Sequence, residues 1–194
     1  MSGVEYSSSV RPVLGRAFGG DRAMVLQRGE DHVLVVVDVL GRGLVAHREA
    51  NRIEAHLRRS EATDPLSLLQ EIHEVASQGP GCALGICWVT PEERTLHYVA
   101  IGSTQLRYFG HVTRTGISRD GVVGGRIGTP RLQDFPLVDR TVVVLHTDGV
   151  SPEIADLRAR DLWRSPIEER ARDIIARYGH PHDDAACLIF RFRA

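Results

Sequence analysis

The chain has 194 residues, 42% of them hydrophobic and 25% charged, which is the composition of a soluble globular protein. This length fits one domain with a sizeable core, and we expect a single domain over residues 1–194. The formal net charge of -1 provides no bulk field that would attract nucleic acid or an anionic membrane, so we expect neither as a partner.

The N-terminus and the cysteines indicate the compartment. No basic segment followed by an apolar block opens the chain, so no secretory signal is predicted. Cys82 and Cys87 lie five positions apart in a predicted strand, so their side chains point to opposite faces and cannot pair. Cys187 lies in another apolar run. Buried free thiols are typical of a reducing environment, and we expect a cytoplasmic protein.

The first part of the chain predicts strands and then two helices. Residues 4–10 form a candidate first strand. The apolar segments 23–26 and 33–37, separated by a turn, predict an antiparallel hairpin. A first helix follows, with apolar residues spaced by four, three and four at Ala46, Ala50, Ile53 and Leu57. Asp64 and Pro65 mark the start of a second helix, with aspartate as the N-cap.

The remaining apolar runs predict further strands, at residues 83–89, 96–101, 106–109, 141–146 and 185–190. The first three of these read as a meander of consecutive strands. Residues 121–128 are rich in glycine and predict a loop or flap. An amphipathic helix is predicted from residue 167, capped by Ser165 and ended by Gly179. Helices grouped between runs of strands predict an α+β layered domain.

Four aspartates stand at the ends of predicted strands. Asp38, Asp148 and Asp183 occur beside apolar strands at glycine or acidic turns, and Asp21 follows two glycines at the start of a strand. Carboxylates gathered in one site repel each other and must take up protons or bind cations. Oxygen ligands select hard ions such as Mg²⁺ or Mn²⁺. Aspartate also favours turns for local reasons, so the set, rather than any single member, indicates a metal site.

The order of these acidic segments resembles the metal-dependent protein phosphatases, the protein phosphatase 2C family, and within it the bacterial SpoIIE and RsbX branch. The segments that carry the resemblance are Gly20-Asp21, Asp38-Val39-Leu40-Gly41-Arg42-Gly43, Thr147-Asp148-Gly149-Val150 and Asp183-Asp184. They extend over essentially the whole chain. The size of the chain favours the RsbX type over the longer SpoIIE type.

The resemblance implies a layered α-β-β-α sandwich, in which two antiparallel sheets are flanked by helices and a site holds two Mn²⁺ or Mg²⁺ ions. Asp38 would bridge the ions, and the carbonyl of Val39 would serve the second ion. Asp148 and Asp183 would hold the first ion, and Asp21 would complete the second. A metal-bound water with a lowered pKa would then attack the phosphorus in line.

The chain departs from the family pattern at three positions. Val39 replaces a glycine, Arg42 replaces a histidine, and Ala186 stands where a threonine is common. Arg42 and Arg16 are candidates for binding the substrate, because a guanidinium matches a phosphate. His182 is the candidate catalytic proton donor to the leaving serine oxygen.

By resemblance, the substrates would be phosphorylated STAS-domain proteins of a stress-signalling stressosome, hydrolysed at phosphoserine or phosphothreonine. The departures from the pattern suggest an alternative, a degenerate phosphatase fold that binds a phosphoprotein without turnover. A third hypothesis keeps the metal and takes a small phosphate ester as substrate. The sequence carries no signal for the oligomeric state or for the choice of ion.

Overall fold

Two five-stranded antiparallel sheets stack face to face, and helices cover both outer faces, in a computed structural model that describes residues 3–164 and 166–194. The strand order is β1-β10-β9-β6-β7 in the first sheet and β2-β3-β4-β5-β8 in the second. The predicted α-β-β-α sandwich is confirmed. Within the described residues, no helix is both long and apolar enough to cross a membrane.

The strands and helices have the following bounds. The strands are β1 (Gly3–Arg11), β2 (Asp21–Arg28), β3 (Asp31–Val39), β4 (Cys82–Thr90), β5 (Thr95–Ile101), β6 (Gln105–Phe109), β7 (Thr113–Thr115), β8 (Gln133–Pro136), β9 (Thr141–His146) and β10 (Ala185–Arg193). The helices are α1 (Gly43–Arg59), α2 (Pro65–Ala76), α3 (Ala159–Trp163) and α4 (Ile167–Tyr178), and a 3-10 helix covers Pro152–Asp156.

Strand β3 is apolar at consecutive positions because both of its faces are buried. Val35 and Val37 belong to the core beneath α1 and α2, whereas Leu34 and Val36 belong to the core between the sheets. Successive side chains of a strand point to opposite faces, so both sets must be apolar. The same alternation directs Asp38, the next residue on the face of Val36, to the end of the layer between the sheets.

The helices cover the sheets with the residues that the sequence pattern indicates. The four spaced apolar residues of α1 are all buried, and they pack against the second sheet with α2. Asp64 caps α2 as predicted, because its side chain accepts hydrogen bonds from the backbone N–H groups of Leu66 and Ser67. A third core lies between the first sheet and α4. The serine predicted to cap α4, Ser165, lies outside the described residues.

Part of the predicted strand order is wrong. After β5 the chain crosses to the other sheet at residues 102–104, so β6 pairs with β9 and β7 rather than with β5. The meander prediction failed because short apolar strands carry no mark of the sheet to which they belong. Three elements were missed: β7 is fully exposed, and β8 and α3 each contain one buried residue, so their sequences show no periodic pattern.

Candidate metal centre

A cavity of about 300 Å³ opens at one end of the sandwich, where several strand ends converge. Three of the four predicted aspartates line it. Asp38 lies near the end of β3, Asp148 follows β9, and Asp183 precedes β10. Gly121 and Val122 of the glycine-rich segment form part of the wall. The two sheets therefore bring together carboxylates that are more than 140 residues apart in the chain.

Asp21 lies beneath this cavity rather than on its wall. It is directly opposite Asp38 in the register of β2 and β3, and it is 2% exposed. The hydroxyl of Thr147 donates a 2.6 Å hydrogen bond to Oδ2 of Asp21 and accepts a 2.9 Å bond from the backbone N–H of Ala186. One hydroxyl from the first sheet thus fixes a carboxylate of the second.

The raised pKa values of Asp21 and Asp38 indicate a site that would be stabilised by positive charge. Burial, followed by the charge of Asp38, raises the pKa of Asp21 from 3.8 to about 8, although the hydrogen bond from Thr147 lowers it. Burial and then the charge of Asp148 raise the pKa of Asp38 to about 6. In the described part of the chain, no arginine or histidine forms an ion pair with any of the four aspartates.

Two further residues support the site, and the sequence interpretation assigned neither of them this role. Ser103, at the crossover between the sheets, donates a 3.2 Å hydrogen bond to Oδ2 of Asp38 and lines the cavity. Asp184 accepts hydrogen bonds from the backbone N–H groups of Val13 (2.8 Å) and Gly20 (2.7 Å), and so ties down the loop that leads into Asp21. In the sequence, Asp184 is marked only by standing next to Asp183. The sequence does not show that Asp183 lines the cavity and Asp184 holds the loop.

The valine at position 39, where the family pattern has glycine, introduces no backbone strain. Val39 ends β3, its side chain is buried in the core under the helices, and its φ is not among the positive values of the described residues. A valine therefore adopts this conformation readily, and Val39 lines the cavity. The absence of a glycine here does not remove this position from the site.

The three predicted polar contacts with substrate lie on exposed segments next to the aspartates in sequence. Arg42 is exposed at the start of α1, Arg16 is exposed in the loop between β1 and β2, and His182 is exposed in the turn before Asp183. None of the three is among the described residues that line the cavity. These three residues are therefore close to the aspartates in sequence, but their side chains do not line the cavity in the structure.

The donor set fits a hard divalent cation in its chemistry. The candidate donors are carboxylate oxygens and one main-chain carbonyl, which suit Mg²⁺ or Mn²⁺ better than softer metals. In residues 3–164 and 166–194, no group of three or more His, Cys, Asp and Glu side chains is arranged to hold an ion. Uncompensated carboxylates repel one another. We therefore expect small side-chain movements to accompany binding of an ion.

The sequence matches no family model and no curated protein, but solved structures are similar over nearly the whole chain. A structure from work on the bacterial stressosome is 21% identical, with a TM-score of 0.90, over 97% of this chain and 100% of the other. RsbX in complex with magnesium is 16% identical, with a TM-score of 0.83, over 97% and 95%. The serine/threonine phosphatase PstP of Mycobacterium tuberculosis is 16% identical, with a TM-score of 0.73, over 98% and 99%. The chain has a PP2C-like fold.

In this PP2C-like fold the carboxylate cavity lies at the end of the sandwich where β3, β9 and β10 meet. Identities of 16% to 21% establish the fold alone. The site consists of the buried carboxylate of Asp21, three carboxylates on the cavity wall, and the hydroxyls of Ser103 and Thr147. The pKa values of Asp21 and Asp38 are both raised.

Proposed function

We propose that this chain is a Mn²⁺- or Mg²⁺-dependent phosphatase that hydrolyses phosphoserine and phosphothreonine on proteins. The observation that carries the proposal is the convergence of Asp38, Asp148 and Asp183 on one cavity, with Asp21 buried beneath it and no cationic side chain paired with them in the described residues. Similarity in fold to a serine/threonine phosphatase and to the PP2C phosphatase domain of SpoIIE supports the same reaction class.

Two ions would be held as the resemblance implies. Asp38 would bridge them, Asp148 and Asp183 would complete the first site, and Asp21 with the carbonyl of Val39 would complete the second. Similarity in fold to RsbX in complex with magnesium supports the choice of a hard divalent ion. Ions bound there would lower the pKa of water and neutralise the phosphoryl oxygens in an in-line displacement.

Neighbouring side chains would orient the metal-binding aspartates, bind the substrate phosphate and donate a proton. Ser103 holds one oxygen of Asp38, and Asp38 itself lines the cavity. Thr147 holds Oδ2 of Asp21 and so orients a carboxylate that is almost completely buried. Substrate phosphate would be bound by Arg16 and Arg42, and His182 would donate a proton to the leaving oxygen. These last three roles require movement of exposed side chains toward the cavity.

We propose phosphorylated STAS-domain proteins of a stress-signalling assembly as the substrates, and an RsbX-type role within it. Similarity in fold to RsbX and to a structure from the bacterial stressosome supports this choice. A cytoplasmic location is part of the proposal and agrees with three cysteines that are free and buried.

The test is hydrolysis of a generic aryl phosphate with and without Mn²⁺. The wild-type protein is expected to show Mn²⁺-stimulated turnover, and Asp38→Asn is expected to lose it by on the order of 100-fold, because the bridging carboxylate supplies charge that holds both ions. Asp134→Asn, at an exposed aspartate of β8, is the matched control and should retain activity. Inactivity of the wild-type protein with metal present would refute the proposal.

A second candidate is a degenerate phosphatase fold that binds a phosphoprotein without turnover. It is favoured by the lack of a ready-made ligand group among the described residues and by the exposed position of Arg42, where the family pattern has a histidine. Calorimetric titration with Mn²⁺ separates the two candidates. Binding of two ions supports the phosphatase, and no binding supports the phosphoprotein-binding module.

A further inference from the structure

The first sheet carries a cluster of arginines gathered on one indole ring. The guanidinium carbons of Arg140, Arg191 and Arg193 lie 5.5, 5.1 and 5.0 Å from the ring centroid of Trp163. The indole N–H of Trp163 donates a 3.0 Å hydrogen bond to the carbonyl of Arg140. Cations stacked on an aromatic face are attracted to it, so the ring fixes three positive groups in one place.

This arginine cluster is separate from the carboxylate cavity. Arg191 and Arg193 lie at the end of β10, whereas Asp183 precedes its start. A strand of this length spans about 30 Å. The cluster and the cavity therefore occupy opposite ends of the sandwich, and the arginines cannot contact a phosphate group held between the aspartates.

Two of the three guanidiniums in the cluster form no ion pair among the described residues. Arg191 is buried and forms a 3.5 Å ion pair with Glu5. Burial lowers the pKa of Arg191; Glu5 raises it, and Arg170 and Arg193 lower it further. Arg140 and Arg193 are exposed, and neither forms an ion pair within residues 3–164 and 166–194. Asp139, which accepts a 3.2 Å hydrogen bond from the backbone N–H of Ala194, is the nearest acidic residue in sequence, and it forms no ion pair with either arginine. Two guanidiniums thus lie on the indole ring, exposed and without an ion-pair partner in the described residues.

We propose that Arg140 and Arg193, held on Trp163, form a docking site for an acidic segment of a partner protein. A guanidinium that stacks through its face keeps its N–H edges available, and these edges pair with carboxylates in a two-point geometry. A nucleotide fits less well, because guanidiniums already cover the indole on which a base would stack. A nucleic acid, whose binding depends on many phosphate contacts along its backbone, would gain little from a chain whose net charge is -1.

The docking site would act independently of the proposed phosphatase reaction. A partner held at the arginine cluster leaves the carboxylate cavity accessible, because about 30 Å of strand separates them. The site is expected to contribute to binding of a protein partner and to have no effect on hydrolysis of a small phosphate ester. A failure of one proposal is therefore distinguishable from a failure of the other.

The experiment is a fluorescence anisotropy titration with a labelled oligo-glutamate peptide at low salt. Binding by the wild-type protein is expected to weaken by on the order of tenfold in Arg140→Ala/Arg193→Ala, since two carboxylate contacts are lost. The control, Arg114→Ala/Arg131→Ala, removes the same charge from two exposed arginines elsewhere and should bind within about twofold of the wild type.

Two further variants test the geometry. Arg140→Lys/Arg193→Lys keeps the charge and removes the planar forks, and Trp163→Leu keeps the arginines and removes their support; both should weaken binding while the control does not. The proposal is overturned if the wild-type protein does not bind the peptide or if the control weakens binding as much as the Arg140/Arg193 pair. Equal competition by inorganic phosphate at matched ionic strength would also overturn it, since a peptide site gains from several linked carboxylates.

Discussion

The buried carboxylate of Asp21 makes a quantitative prediction about the metal-free protein. Its pKa is 3.8 in an unfolded chain and about 8 in the fold, because burial and the neighbouring Asp38 disfavour its charge. A raised pKa contributes stability that is fully present below pH 3.8 and is lost as the pH rises through about 8. Without metal, the wild-type protein should therefore lose stability between these two values. Asp21→Asn, which keeps the shape and an acceptor for Thr147, should show a much smaller loss, because only the contribution of Asp38 remains.

The size of the effect follows from the shift. One pKa unit corresponds to about 1.4 kcal/mol, so keeping the proton on Asp21 from its unfolded pKa up to pH 7 costs at most ~4 kcal/mol. For a chain of this size, ~4 kcal/mol changes the melting temperature by on the order of 10 °C. Asp38 adds a smaller effect in the wild type and in Asp21→Asn alike, because burial and the charge of Asp148 raise its pKa to about 6.

Thermal unfolding in EDTA at pH 5 and pH 8 measures this directly. The melting temperature of Asp21→Asn should exceed that of the wild type at pH 8, and the gap should narrow at pH 5. The exposed substitution Asp156→Asn serves as a control and should follow the wild type at both values. Mn²⁺ should raise the wild-type melting temperature more at pH 8 than at pH 5, because ions bind the ionised carboxylates. A wild-type melting temperature that does not depend on pH relative to Asp21→Asn would refute the reasoning.

Two other substitutions test the parts that hold the site in place. Thr147→Val removes the hydrogen bonds to Asp21 and Ala186, so the free energy of unfolding in urea should fall by about 1–3 kcal/mol; an unchanged value would show that this hydroxyl does not fix the carboxylate. In the second test, Nδ1 of His73 on α2 accepts a 3.0 Å hydrogen bond from the backbone N–H of Gly124, in the glycine-rich segment whose residues 121 and 122 line the cavity. Hydrogen exchange of the Gly124 amide should speed up on the order of tenfold in His73→Leu. It should stay slow in His73→Asn, whose side-chain oxygen can replace Nδ1, and equal rates in the two variants would contradict the link.

The sequence predicted the elements that carry a local signal and failed where burial is irregular. The α1 stripe follows from helical periodicity, the Asp64 cap from its side-chain hydrogen bonds, and the apolar run of β3 from burial on both faces; all three are confirmed. Strands β7 and β8 are held by neighbouring strands rather than by an apolar pattern of their own, so no local signal marks them. The crossover at Ser103 also has no local sequence signal, because it depends on which sheet the next strand, β6, joins.

Part of the candidate site was likewise predicted from the sequence, and part was not. Asp38, Asp148 and Asp183 were predicted from their positions at strand ends, and the fold brings them to one cavity because those strands meet there. The roles of Thr147 and Asp184 depend on contacts across more than 120 residues of chain, which one sequence does not reveal. The exposed positions of the arginine and histidine candidates likewise follow from side-chain placement that no motif encodes.

The most direct test of a two-ion centre is a crystal structure of the wild-type protein soaked in Mn²⁺, with anomalous scattering measured at the manganese edge. We predict two anomalous peaks about 3.5–4 Å apart between Asp21, Asp38, Asp148 and Asp183, with Asp38 contacting both. An Asp38→Asn crystal treated identically should lose at least one of them. Peaks that lie away from these four aspartates, or the absence of any peak in the wild type, would contradict the metal centre and the phosphatase function built on it.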